Sequence, residues 1–322
     1  MANRAYTGIE PTPTVTRRRR GLWADAVVRL LHNRLAVFGA VVVLTLIVLA
    51  IFAPLITPKH YADVAFEDNN ASPGSKYLLG ADFLGRDVLS RLIYGARVSL
   101  TIGIAGATIA TIIGLIYGSI SAYYGGKVDN LMMRFVDLMY GFPTLLLIIL
   151  IMVYFRSTFS GSGEEASLIV RTMRSIDDAV GGMFFIFIGV AITSWMTASR
   201  LVRGIVLSLK EKDFILAAHA LGTGDRRIMA KHLLPNLLGP IIIAETLNIP
   251  TYILFEAFLS FIGLGVNPPM PSWGGMISEG MRAMRSYPHL VLFPSLFLSI
   301  TLLAFNFLGD GLRDALDPRM KR

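Results

Sequence analysis

The sequence contains no cysteine. Disulfides, thiolate nucleophiles and cysteine-ligated metal sites are therefore excluded. Charge is scarce as well: Asp, Glu, Lys and Arg make up 16% of the 322 residues, against about 25% in a typical soluble domain. No Gly-x-x-x-x-Gly-Lys-Ser/Thr phosphate loop is present, and Gly222-Thr-Gly224 is too short to replace one, so the chain lacks that route to ATP. His-Glu-x-x-His and Gly-x-Ser-x-Gly are missing too. The five histidines (His32, His60, His219, His232, His289) are scattered, which gives no metal-ligand spacing. What is abundant is apolar: 54% of residues are hydrophobic and the mean hydropathy is +0.60. Lipid is the implied solvent, and a solute-moving protein is a better fit than a membrane enzyme.

A helix needs about 20 mostly apolar residues to cross a bilayer. Charges mark the gaps between such stretches. Leu35 to Ile56 is nearly continuous apolar sequence, and Arg97 and Lys127 bracket a second run from Val98 to about Tyr123. A third lies between Asp137 and Arg156 with an apolar lead-in from Leu131, and a fourth between Asp178 and Arg200. The fifth, Leu237 to Leu264, is interrupted by Glu245 and Glu256; the sixth lies between Arg285 and Asp310. The expected fold is an all-α membrane protein with about six transmembrane helices. The first span follows Arg17–Arg20, as in a signal peptide. It is longer than the 7–15 residues of a signal core and lacks a clear small-x-small cleavage site, so it reads as a true membrane helix.

Lysine and arginine set the orientation. With the N-terminus inside, the inner side holds residues 1–34, the turn Gly125–Arg134, the loop Arg200–Lys231 and the basic tail after Asp310. These carry about two thirds of the 30 Lys and Arg residues, so N-in, C-in is expected. Internal prolines at Pro143, Pro250 and Pro294 are read as packing kinks or as hinges.

Three loops stand out. The outer loop Pro54–Arg97 begins polar and turn-rich; its second half places Val88, Leu89, Leu92 and Ile93 on one helical face, fitting an interfacial helix or a buried elbow. The inner loop Arg200–Asn236 predicts a short helix over Phe214–Gly222 ending in a left-handed Gly222. A second follows over Arg226–Leu234, capped by Asp225, with Pro235 discouraging its continuation. Ala217, Ala218 and Ala220 are small enough for close approach by another surface, although an amphipathic pair resting on lipid fits equally. The Gly- and Pro-rich stretch Gly263–Gly275 reads as a stiff cap or a connector.

Glu245 and Glu256 lie inside the fifth span. Ionisable groups at membrane depth usually face protein or a water-filled cavity. Glu245 is the better cavity candidate, and Glu256 lies nearer the outer end, where it can meet headgroups or cap a neighbour. Eleven residues, about three turns, put them on one face. They are the candidate pathway-lining residues and leave an ion-coupled secondary carrier open.

Ala217-Ala218-x-x-x-Gly222 followed by His232-Leu-Leu-Pro-Asn236 resembles the EAA loop of ABC-transporter permeases. Leu79-Gly-Ala-Asp-x-x-Gly-Arg-Asp87, Tyr94-Gly-Ala-Arg-Val-Ser-Leu100, Gly125-Gly-Lys-Val-Asp129, Leu259-Ser-Phe-Ile-Gly-Leu-Gly265, Pro271-Ser-Trp-Gly274 and Phe305-Asn-Phe-Leu-Gly-Asp-Gly-Leu-Arg-Asp-Ala-Leu-Asp-Pro318 look like the C-type subunit of oligopeptide/dipeptide permeases. Leu22-Trp-Ala-Asp25 and Asn33-Arg34 fit the oligopeptide branch. The resemblance covers residues 22 to 319.

This resemblance implies a type I ABC importer permease fold in the bacterial inner membrane. It implies a second, related permease subunit, two cytoplasmic ATPase subunits that bind the ATP, and an extracytoplasmic peptide-binding protein, with no cofactor on this chain and no nucleic acid. Leu216, Ala217, Ala218, Gly222, His232, Pro235 and Asn236 would form the ATPase-coupling loop, within 204–236. The implied layout is a cytoplasmic tail over 1–34, a first helix with outer loop and interfacial helix over 35–96, a permease core over 97–309 and a cytoplasmic tail over 310–322. Substrates of this architecture include oligopeptides, dipeptides, glutathione and nickel. Two departures are visible: Leu216 stands where the family often has Glu, and the outer loop Arg156–Asp178, with Ser160-Gly-Ser-Gly163, is longer than usual.

Overall fold

The computed structural model describes residues 22–159 and 168–316, and all of the regular structure among them is helical. Arg17–Arg20, Ser160–Gly163 and the tail beyond 316 lie outside the described residues. In chain order come α1 (Leu22–His32), α2 (Arg34–Ile51), α3 (Ala53–Ile56), α4 (Val88–Tyr124), α5 (Gly126–Tyr140), α6 (Thr144–Phe159) and α7 (Leu168–Ala179). They are followed by α8 (Met183–Lys210), α9 (Asp213–Ala220), α10 (Asp225–Ile228), α11 (Leu234–Phe261), α12 (Trp273–Met281) and α13 (His289–Leu316). Five stretches are long and apolar enough to cross a membrane: α2, α4, α8, Asp225–Phe261 and α13. The pair α5 and α6 makes a sixth if it is one span, bent by 81°.

The long helix α4 organises the bundle. Its 37 residues reach about 55 Å at 1.5 Å per residue, well beyond a hydrocarbon core of about 30 Å. It packs most extensively on α8, then on α11. Hydrophobicity cannot draw two helices together in lipid, so close backbone approach has to supply contact energy. Gly114 and Gly118, four residues apart on α4, provide it. A Cβ on Gly118 would sit 2.8 Å from Val202 Cβ, and one on Gly114 3.0 Å from the backbone of Ala198. The same backbone-to-backbone logic joins α2 to α13, where a Cβ on Gly39 would meet the Ala304 carbonyl at 2.5 Å.

The segment expected to lie on the membrane surface is instead the first turns of α4, so the boundary drawn at residues 96 and 97 falls inside a continuous helix. The buried-elbow alternative is the one that forms. Val88, Leu92 and Ile93 are buried, and so are Arg86, Asp87 and Arg91. Buried charges must be paired, and these are. Asp82 accepts from Arg86 Nε at 2.7 Å and from Arg91. Glu279 of α12 accepts from Arg86 Nη2 at 3.2 Å and lies 3.0 Å from Arg91 Nη1. Asp87 caps α4 by accepting from Ser90 N at 2.7 Å. Gly85, at φ +73°, makes the turn that brings Arg86 back onto Asp82. The Leu79–Asp87 motif thus folds a cap over one end of the bundle.

Prolines act in two ways. Pro143 stands at the break between α5 and α6, while Pro250 and Pro294 lie inside unbroken helices, both buried. Pro235 does not stop its helix, contrary to expectation. A π-helical turn over Met229–Leu233 precedes it and Pro235 sits in the first turn of α11, where a missing N–H is tolerated. Asn236 Nδ2 donates to the His232 carbonyl at 2.7 Å, adding a side-chain donor where the proline lacks one.

Candidate functional site

The loop between α8 and α11 forms its own small core, separate from the main one. Ile215 and Ala218 of α9, Ile228 of α10 and Leu233 of the π turn pack on Val202 and Val206 of α8, Ala122 and Tyr123 of α4, and Leu237 and Ile241 of α11. The loop is therefore mounted on three membrane helices. Because α8 continues to Lys210, the expected boundary at 204 falls within it.

Gly222 is left-handed at φ +73°, as expected, with nothing within 4 Å of where a Cβ would be. Its N–H donates to the His219 carbonyl at 2.9 Å and that of Thr223 to the Ala218 carbonyl at 3.0 Å, closing α9. Asp225 is not the cap of the second short helix. Gly224 holds that position, and the Asp225 carboxylate accepts from the Tyr123 hydroxyl at 2.7 Å instead.

The two alanines part company. Ala218 faces the small core at 7% exposure, while Ala217 faces outward. Leu216 at 56% and Leu221 at 85% exposure flank it. The outward face of α9 is therefore Leu216, Ala217 and Leu221, an apolar patch with a small residue at its centre. His232 is half-buried with its ring 6.5 Å from that of Phe214, and Pro235 and Asn236 are exposed on the adjoining turn. The structure brings Leu216, Ala217, Gly222, His232, Pro235 and Asn236 to one end of the bundle and turns Ala218 inward.

Glu245 and Glu256 lie elsewhere, and both are buried within the chain. Glu245 accepts from Tyr252 at 2.9 Å and weakly from Asn248 at 3.4 Å. Glu256 is fully buried and is met by Ser99 of α4 and Ser260, each at 2.7 Å. The packing of α4 on α11 encloses it, so its carboxylate meets protein on every side rather than headgroups. The Gly263–Gly275 stretch is held down by Arg156, whose guanidinium donates to the Gly263 carbonyl at 2.9 Å and to that of Gly265. Among the described residues no cluster of three or more His, Asp or Glu could hold a metal ion.

Residues 110–322 match the family described as binding-protein-dependent transport system inner membrane component, and residues 21–73 match the N-terminal TM domain of oligopeptide transport permease C. The chain is a C-type permease of this ABC-transporter family. The permease is 39% identical to the oligopeptide transport system permease protein OppC of Bacillus subtilis over 308 residues, 96% of this chain and 93% of the relative. It is 41% identical to OppC of Haemophilus influenzae over 302 residues, 93% and 89% of the two chains. Among solved structures, the inward-facing MetNI methionine ABC transporter covers 70% of the permease and 96% of its own chain, with a TM-score of 0.55 at 17% identity. The fold is therefore that of type I ABC importer permeases, and the permease is a multi-pass inner-membrane protein.

Sequence reasoning missed Tyr123, Lys210 and the pairing of Arg91 with both Asp82 and Glu279. Tyr123 closes an apolar span and gives no periodic signal of its partner at Asp225. The acidic partner of Arg91 at Glu279 is 188 residues away.

Proposed function

We propose that the permease is one membrane subunit of an ATP-driven importer of peptides, oligopeptides first, forming half of the translocation pathway. The observation that carries this is the outward face of α9: Leu216, Ala217 and Leu221 exposed on a loop that is locked to three membrane helices. A small residue between two leucines fits a groove on an ATPase subunit, and the locked mount passes groove closure to the bundle. ATP is bound and hydrolysed on two such partners. A second permease subunit completes the pathway, and an extracytoplasmic binding protein delivers peptide. Both termini and the α9–α10 loop lie in the cytoplasm, in keeping with the bias of Lys and Arg. Glu245 and Glu256, enclosed in this chain, act by fixing α11 against its neighbours rather than by meeting solute. Dipeptides, glutathione and nickel remain the competing cargoes of the same machinery.

The test is affinity purification in mild detergent followed by reconstitution. Two ATPase subunits and a second permease should co-purify. Proteoliposomes of the assembled complex with binding protein should accumulate oligopeptide only with ATP. Uptake by this chain alone on an ion gradient would replace the proposal with a secondary carrier.

A further inference from the structure

Tyr123 stands where α4 ends, and it touches three other elements. Its hydroxyl donates to Asp225 Oδ1 of α10 at 2.7 Å. Its ring stacks on His219 of α9, with centroids 6.3 Å apart at 22°. Its backbone carbonyl accepts from Lys210 Nζ of α8 at 2.7 Å, and the Ala122 carbonyl accepts from the same ammonium at 3.1 Å. A cation on the last carbonyls of a helix satisfies acceptors that have no partner in the ladder and complements the negative end of the helix dipole. Two residues earlier, Ser121 donates at 2.6 Å to Asp129, which Arg203 of α8 grips with two bonds of 2.6 and 2.5 Å.

These bonds have a mechanical consequence. The short helices α9 and α10 meet at Gly222, which has open space around it and would serve as a pivot. A loop that pivots absorbs displacement; a loop fastened at a second point transmits it. Helix α4 is unbroken from this foot to the Asp82–Arg91–Glu279 cluster at the other end.

We propose that Tyr123 is a positioning residue for energy coupling: its bond to Asp225, with Lys210 closing the end of α4, fastens the α9–α10 loop to the foot of α4, so that loop displacement moves that helix instead of rotating about Gly222. This rests on the coupling role given to the loop above. The bland alternative is that Tyr123 only fills the small core, which its ring alone would do.

The test uses the assembled complex in proteoliposomes and compares peptide transported per ATP hydrolysed. Tyr123→Phe keeps the ring and its stacking and removes the hydroxyl. It should assemble normally and hydrolyse ATP, but transport per ATP should fall about ten-fold or more, the scale of a lost hydrogen bond to a charged group. Asp225→Ala should do the same. Asp225→Asn retains an acceptor oxygen and should preserve the ratio. The double variant Tyr123→Phe/Asp225→Ala should be no worse than either single change, because both remove one bond. An unchanged ratio in Tyr123→Phe, additive losses in the double variant, or failure of Tyr123→Phe to assemble would each overturn the proposal. Failure of the coupling role itself shows separately: Leu221→Asp would then leave ATPase subunits bound, whatever Tyr123→Phe does.

Discussion

The indole Nε1 of Trp273 donates to the backbone carbonyl of Leu92 at 3.1 Å, joining α12 to the first turns of α4 across 181 residues. Trp273 is fully buried, so its ring and its one polar atom both depend on that site. Replacing it with Phe keeps most of the packing and should cost about 1–3 kcal/mol for the orphaned contact. Replacing it with Ala should cost about 3–5 kcal/mol. Thermal unfolding in detergent should rank wild type above Trp273→Phe above Trp273→Ala.

The ion cluster that joins Asp82, Arg86 and Arg91 to Glu279 of α12 should be intolerant of halves. Removing Asp82 leaves Arg86 and Arg91 buried with only the partly exposed Glu279 for a partner. Breaking a buried pair from one side costs about 3–5 kcal/mol. Asp82→Ala should open the cap to protease, whereas Lys76→Ala, on a solvent-screened surface pair with Asp68, should leave protease resistance nearly unchanged.

That exposed pair has a pH signature. Hydrogen bonds from Lys76 and then Tyr77 hold Asp68 below its ordinary value of 3.8. A depressed carboxylate stabilises the folded loop above its unfolded pKa and loses that contribution as pH falls through the folded one. Hydrogen exchange in residues 65–77 should stay flat from pH 7 to 5, after correction for intrinsic rates, and rise only below about 4. A rise centred near neutral pH would contradict the assignment.

These features mark where sequence alone stops. The apolar cores of the spans were legible because charges punctuate them. A helix over 88–93 was legible from its apolar face, but its unbroken continuation into the second span was not, since Arg91 and Arg97 look like the polar edge of a span until Asp82 and Glu279 are seen beside Arg91. The left-handed Gly222 was legible from its place after an alanine-rich helix. The opposite facings of Ala217 and Ala218 were not, because the eight residues of α9 give too short a pattern to fix its phase. Pro235 misled for a local reason: the π turn before it has no sequence marker.

Ala217 and Ala218 should accordingly respond differently to bulk. Ala218→Trp overfills the small core beside Ile215 and Ile228, a strain of about 1–3 kcal/mol or more, and should destabilise the permease before any partner is added. Ala217→Trp should leave the isolated permease as stable as wild type and block only assembly with ATPase subunits. Equal melting temperatures for the two variants would contradict the facing seen here.

Orientation can be read from introduced cysteines, because the chain has none of its own. Ser72→Cys should react with an impermeant maleimide added to whole cells, and Glu211→Cys only after the membrane is opened. The reverse pattern would invert the topology and remove α9 from the reach of a cytoplasmic ATPase.

The most direct measurement places a photo-crosslinker on the outward face of α9. Leu221→Cys, labelled with benzophenone maleimide in the assembled complex and irradiated, should give an adduct of the permease with an ATPase subunit, while a label at Ser72 should not. An adduct with lipid alone at residue 221, with ATPase subunits present, would contradict the coupling role of this loop.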